Sequence, residues 1–424
     1  MAHIVAFRAA LKKGLGRAML LLRAEPTSPE LQAELLHACK VNLLYDRQCE
    51  WSRAPYLVRL IHETGQSRVY WEELVGCFRE TEAPDGDQDK GQAFEILCAL
   101  AAADASLDRL TLGSFLVSAD FDAISGDAMN AFVRLEGING LIQCCRHFRD
   151  EMSREDWVAR ALLDSLIERD GAEAATAELE TARAGCPDLE SLIRLMQSDE
   201  PRIKQEETIL DRAQVEASVA QFNRVPWPWI RDASPADLEW TADQLLAERD
   251  DRRILAYLRA FGGRDFPRPP ERLFAWAQGE KPRIAWQATQ ALSRICHPEV
   301  RKLALEIMSA GASPEKGVRM LRSNLQPGDF KIIERLLVAA EPNENAYHGL
   351  QLAIKDVLKH ATIPPDESRD TLLHLYEAGP CSICRWTVVS MLVALGSAPG
   401  WMAEECRYDT DPETAALFGH AQSA

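Results

Sequence analysis

The sequence predicts an all-α chain assembled from paired helices, and three observations carry that prediction. Apolar residues recur at steps of three and four wherever a period is clear, which gathers them on one helix face. Alternating runs rich in Val, Ile and Thr are nearly absent, and no Asn-Gly or Asp-Gly pair joins two such runs, so β-hairpins have no signal. In the second half, breaking and capping residues return at roughly 31 to 36 residues, the length of two short helices and their turns.

The elements follow in order. "MAHIVAFRAALKKGLGRAMLLLRAEP" places Ile4, Phe7, Leu11, Leu15, Met19 and Leu22 at helical spacing. Arg8, Lys12, Lys13, Arg17 and Arg23 interrupt every apolar core a signal peptide would need, so this is read as a docked first helix. Helices are expected over Ser28–Leu44, Glu50–His62, Ser67–Phe78, Asp89–Ala103, Ala123–Arg149 and Ser153–Glu168, with two or three more before Ala220. The acidic stretch "TEAPDGDQDKGQ" interrupts them. "AQFNRVPWPWIRDASPAD" carries two prolines within three residues, which argues for a break. A boundary near Val225 therefore separates an irregular N-terminal half, 1–224, from a regular half, 225–424, that continues it.

The regular half reads as hairpins: "DDRRILAYLRAFG" with "PPERLFAWAQGE", "KPRIAWQATQALSRICH" with "PEVRKLALEIMSAG", "SPEKGVRMLRSNL" with "GDFKIIERLLVAAEP". "NENAYHGLQLAIKDVLKHA" with "PPDESRDTLLHLYEAG" follows, and "CSICRWTVVSMLVALG" with "PGWMAEECRYDTDPETAALFG" closes the series. Each pair begins after Asp250, Gly279, Ser313, Asn343 or Pro380. "RIAWQATQALSRI", "HPEVRKLALEIM" and "CRWTVVSMLVALG" resemble the helical HEAT and armadillo-type repeats. In these an arginine precedes alternating small and large apolar residues, here Arg283, Ala288, Ala291 and Leu292. The resemblance implies a right-handed α-α superhelix, a HEAT-like solenoid in which each hairpin covers its neighbour's apolar face.

Composition narrows the partners. The chain of 424 residues carries a formal charge of −17, which argues against a main role in wrapping nucleic acid. The charge is uneven: Arg249–Arg322 holds 15 basic against 8 acidic residues. No stretch reaches the roughly 20 apolar residues of a membrane helix. Eleven scattered cysteines without a secretory signal point to a reducing, cytoplasmic setting and not to a disulfide framework.

The motifs offer little chemistry. Cys381 and Cys384 form C-x-x-C at a helix start, where the dipole lowers a thiol pKa, but a helix and not a strand precedes them. No second C-x-x-C completes a zinc set. They are read as packing residues, as are Cys144, Cys145 and His147. "DGDQDKGQAFEI", Asp85–Ile96, begins like a calcium loop, then places Lys90 where the turn glycine belongs and Ile96 where the bidentate glutamate belongs. No P-loop, zinc-protease helix or G-x-S-x-G appears, so no cofactor and no catalytic residue is assigned.

Two sets of contact residues remain. "YDRQCEWSRAPYLVRLI" packs Asp46, Arg47, Glu50 and Arg53 into a turn that an ion-pair and capping network would hold, while Tyr45, Trp51 and Arg53 are candidates for a protein-binding surface. Trp227 and Trp229 flank Pro228 and are candidate anchors or plugs between layers. The first functional expectation is a non-enzymatic scaffold presenting a concave face to a protein partner. The second is a nucleic-acid binder of the HEAT-like alkylation-repair type, using Arg252, Arg253, Arg259, Lys281, Arg283 and Trp286. A bilin-lyase-like enzyme is a third, with no motif behind it.

Overall fold

A computed structural model describes residues 2–79, 89–118, 124, 126–148, 156–183, 186, 189–190, 210–360 and 365–418. The start of the calcium-like stretch, Asp85–Gln88, lies outside them. The described residues form 25 α-helices and two 3-10 turns, with no strand among them. No helix is long and apolar enough to cross a membrane.

Residue contacts divide the chain into two compact units. The first comprises 1–200, 380–386 and 399–424, the second 201–379 and 387–398. This division follows contact density, whereas the boundary near Val225 rests on repeat regularity. The first unit contains α1 (Ala2–Lys13), α2 (Arg17–Ala24), α3 (Pro29–Lys40), α4 (Ala54–Thr64), α5 (Ser67–Arg79) and α6 (Lys90–Ala103). It continues with α7 (Arg109–Ser118), α8 (Gly126–Glu136), α9 (Ile138–His147), α10 (Asp156–Asp170) and α11 (Ala172–Arg183). The second unit holds α12 (Arg212–Phe222), α13 (Trp227–Asp232), α14 (Pro235–Ala247), α15 (Asp251–Leu258), α16 (Glu271–Ala277) and α17 (Pro282–Leu292). After these come α18 (Pro298–Ala310), α19 (Pro314–Met320), α20 (Phe330–Ala340), α21 (Glu344–His360) and α22 (Pro365–Ala378). Helix α23 (Ser382–Ala394) precedes α24 (Gly400–Cys406) and α25 (Pro412–Ala416), which belong to the first unit.

Helix starts obey local chemistry. Ser28, Asp89, Asp211, Ser234, Asp250, His297 and Asp411 each accept a backbone N–H from the first turn, satisfying a donor that has no intrahelical partner. Glycine decides two breaks that periodicity missed. Gly14, at φ +68°, separates α1 from α2, and Gly137, at φ +61°, splits the expected Ala123–Arg149 helix into α8 and α9. Trp227 and Trp229 both lie in the short helix α13, so the two prolines that argued for a break mark its start. Pro228 occupies the first turn, where its missing N–H removes no helical bond.

Within each unit, helices pack on second neighbours as well as adjacent ones. Helices α2, α4, α6, α8 and α10 form one run of successive contacts, and α15, α17, α19 and α21 form another. Ala288, Ala291 and Leu292 of α17 are completely buried in the second run. Alanine at such sites lets helix axes approach to about 8 Å, the close end of the usual range. Ion pairs link neighbouring helix pairs as well. Arg268–Asp243, Arg294–Asp265, Lys281–Asp251, Arg301–Asp329 and Arg322–Asp356 span 25, 29, 30, 28 and 34 residues. The three exposed pairs, Arg268–Asp243, Arg294–Asp265 and Lys281–Asp251, contribute at most about 1 kcal/mol each, while Arg301–Asp329 and Arg322–Asp356 are partly buried.

Candidate functional site

The second unit carries an open groove of about 800 Å³ over α18 and the 321–326 turn, continued by a more enclosed pocket of about 370 Å³ toward α16. His297, Lys302 and Glu306 line both. Two turns build the wall. His297 is the N-cap of α18: its Nδ1 accepts the Glu299 N–H at 3.1 Å, which leaves the ring proton on Nε2. Asn324, buried, fastens this turn to the next one. Its Oδ1 accepts the His297 N–H at 2.9 Å, and its Nδ2 donates to the carbonyls of Ile295 and Met320 at 2.9 and 3.1 Å.

Charge along the groove is uneven. Buried Asp329 accepts from Arg301 Nη2 at 2.6 Å and from the Gln326 N–H at 2.8 Å, so the one guanidinium lining the groove is already neutralised. Lys302 lies 3.6 Å from Glu299. Glu271 and Glu306 are exposed and make no ion pair among the described residues. Leu305 and Leu325 supply apolar lining, Phe274 sets its ring 6.1 Å from that of His297, and the exposed thiol of Cys296 sits on the rim. The groove offers apolar surface, hydrogen-bonding groups and carboxylates; nothing in it is paired as nucleophile and base.

The residues singled out from sequence are dispersed. Trp227 is 62% exposed and Trp51 56%, whereas Arg53 and Trp229 are buried and cannot contact a partner from there. Trp229 donates its indole N–H to Thr241 Oγ1 at 3.1 Å and stands edge-on to Trp240, a plug between layers. Tyr45 is half-buried in the 41–53 segment. Part of the network expected in that segment exists: Glu50 accepts the Asp46 N–H at 2.9 Å and the Ser382 N–H at 2.9 Å and lies 3.7 Å from Arg53, whereas Arg47 reaches Asp89 instead, at 3.8 Å. Arg53 donates to the Leu11 carbonyl at 3.0 Å, and burial pulls its pKa down. Cys381 and Cys384 are buried and outside any disulfide.

The basic segment is largely engaged internally. Arg264 donates to the carbonyls of Ile230, Arg231 and Ala233, and Arg272 donates to Leu246 and Glu248 while covering the Trp276 ring. Lys281 pairs with Asp251 at 2.6 Å and Arg253 with Glu248 at 3.9 Å. Half-buried Trp286 is covered by Arg319 at 5.3 Å. Arg252, Arg259 and Arg283 are exposed and make no ion pair among the described residues. With Arg249, four exposed arginines of the segment make no ion pair among the described residues.

No protein-family model, curated protein or solved structure matches the chain. Sequence reasoning missed Asn324 and the groove. The His-Pro-Glu step at 297–299 is the one local signal, an N-cap before a first-turn proline.

Proposed function

We propose that this chain is a non-enzymatic scaffold, a HEAT-like α-α solenoid that binds a protein partner along the groove over α18. The observation that carries the reading is the groove itself, which crosses from one helix pair to the next and is braced by the hydrogen bonds of buried Asn324. Second-neighbour packing and the repeated ion pairs support the stacked-repeat arrangement. Eleven cysteines outside any disulfide fit the cytoplasmic setting expected from sequence.

A photo-crosslinking residue placed at Leu305, compared with one at exposed Val338 outside the groove, tests the reading in cells. One partner captured from position 305 and not from 338, and lost when Glu306 or Lys302 is replaced, is expected. Equal capture from both positions would remove the groove from consideration. The nucleic-acid alternative rests on Arg252, Arg259 and Arg283; a gel shift with duplex DNA at low ionic strength that responds to their removal would favour it.

A further inference from the structure

We propose that the pocket between α16 and α18 receives a lysine or arginine side chain of the partner, which makes the partner segment a basic peptide. The inference rests on the scaffold reading and adds the chemistry of what the groove takes. At about 370 Å³ the pocket is at the low end of the range for small ligands, about 300 to 1,000 Å³, and has room for one long side chain. Its walls have the two components such a side chain needs. Pro270, Phe274 and Leu303 offer apolar surface for the methylene stem, and Glu271 and Glu306 offer carboxylates for the cationic head. Neither carboxylate is matched by a cation among the described residues, because Lys302 is held by Glu299 and Arg301 by Asp329. The Phe274 ring adds a face over which a cation is attracted.

An acidic partner finds no matching site here. The one lysine lining the pocket, Lys302, already lies 3.6 Å from Glu299. The pocket lies inside the net-basic Arg249–Arg322 segment, so the attraction comes from Glu271 and Glu306 at contact range and not from the formal charge of the whole chain. The wider groove beside the pocket then accommodates the flanking peptide, with Ser323, Asn324 and Gln326 along its edge.

A random dodecapeptide library displayed on phage, panned at physiological salt on the full chain, tests this. Three baits are used: the wild type, Glu271→Gln with Glu306→Gln, and Leu305→Asp. The two glutamates are exposed, so the first variant keeps the fold. Enriched peptides are expected to carry Lys or Arg at one fixed position. Their recovery is expected to fall about tenfold or more on the double variant, the range for losing charge-assisted hydrogen bonds. Basic peptides recovered equally on the double variant would overturn the proposal, since bulk charge would then explain them. Enrichment without a fixed basic position, yet lost on Leu305→Asp, would also overturn it while leaving the groove as a binding site. If no enrichment depends on Leu305, the groove reading falls, and this inference with it.

Discussion

At the scale of single residues, burial decides which charges matter, and Glu95 on α6 is the clearest case. Its carboxylate accepts from Ser52 Oγ at 2.6 Å, yet burial pushes its pKa up to about 7, helped by Asp127 and Asp89 and opposed by Ser52 and Arg134. In the unfolded chain a glutamate titrates near 4.3. The folded state therefore holds the proton more tightly. No penalty exists below the unfolded pKa; it grows as pH rises through the folded one and is complete above about 8. Glu95→Gln, which keeps an acceptor for Ser52, should raise stability at pH 8.5 by roughly 1 to 3 kcal/mol and change it little at pH 4.5. Urea unfolding of both proteins at the two pH values checks this, and a difference that ignores pH would refute it. Arg53 shows how far residue roles were legible. Its pairing with Glu50 followed from their spacing within one turn. Its burial did not, because the Leu11 carbonyl it serves lies 42 residues away.

At the scale of elements, helix ends were legible and helix interruptions were not. Prolines and capping residues announce the starts of α3, α14, α18 and α19 in any sequence window. The breaks at Gly14 and Gly137 sit inside apolar periods that continue across them, so periodicity alone runs straight through. Turns that join repeats are held by side chains with no sequence signature, and Asn324 is the example. Asn324→Ala leaves the His297 N–H and the carbonyls of Ile295 and Met320 without this partner. The cost should be about 1 to 3 kcal/mol, concentrated in the 293–298 turn. Cys296 lies within that turn and Cys49, the other exposed thiol, in the first unit. Alkylation followed by peptide mapping should show Cys296 reacting several-fold faster in the variant while Cys49 keeps its wild-type rate. An unchanged ratio of the two rates would mean that Asn324 does not hold the turn.

At the scale of the whole chain, what the sequence could not reveal is a contact between its two ends. A simple array of repeats loses only the neighbours of a cut, and a reading by local period cannot see beyond that. Here α24 packs on α2, Glu405 pairs with Arg17 at 2.9 Å, and the Thr410 N–H donates to the Gly14 carbonyl at 3.0 Å. A Cβ at Gly16 would fall on the Glu405 carbonyl, so the two backbones meet directly. Completely buried Arg385 makes a two-pronged pair with Asp409 at 2.8 and 2.9 Å and also donates to Gly14. Ending the chain after Ser397 removes Asp409 and strands the guanidinium. Losing one partner of a buried pair costs about 3 to 5 kcal/mol, more than an exposed pair would. Hydrogen exchange should therefore report lost protection in α1 and α2, hundreds of residues from the cut, while α17 and α19 in the second unit keep theirs. Arg385→Met with Asp409→Asn in the uncut chain separates charge from mass. That pair of changes should be milder than Arg385→Met alone, because no unpaired charge stays buried. Exchange that rises only in α22 and α23, next to the cut, would instead describe a chain whose first helices stand without its last ones.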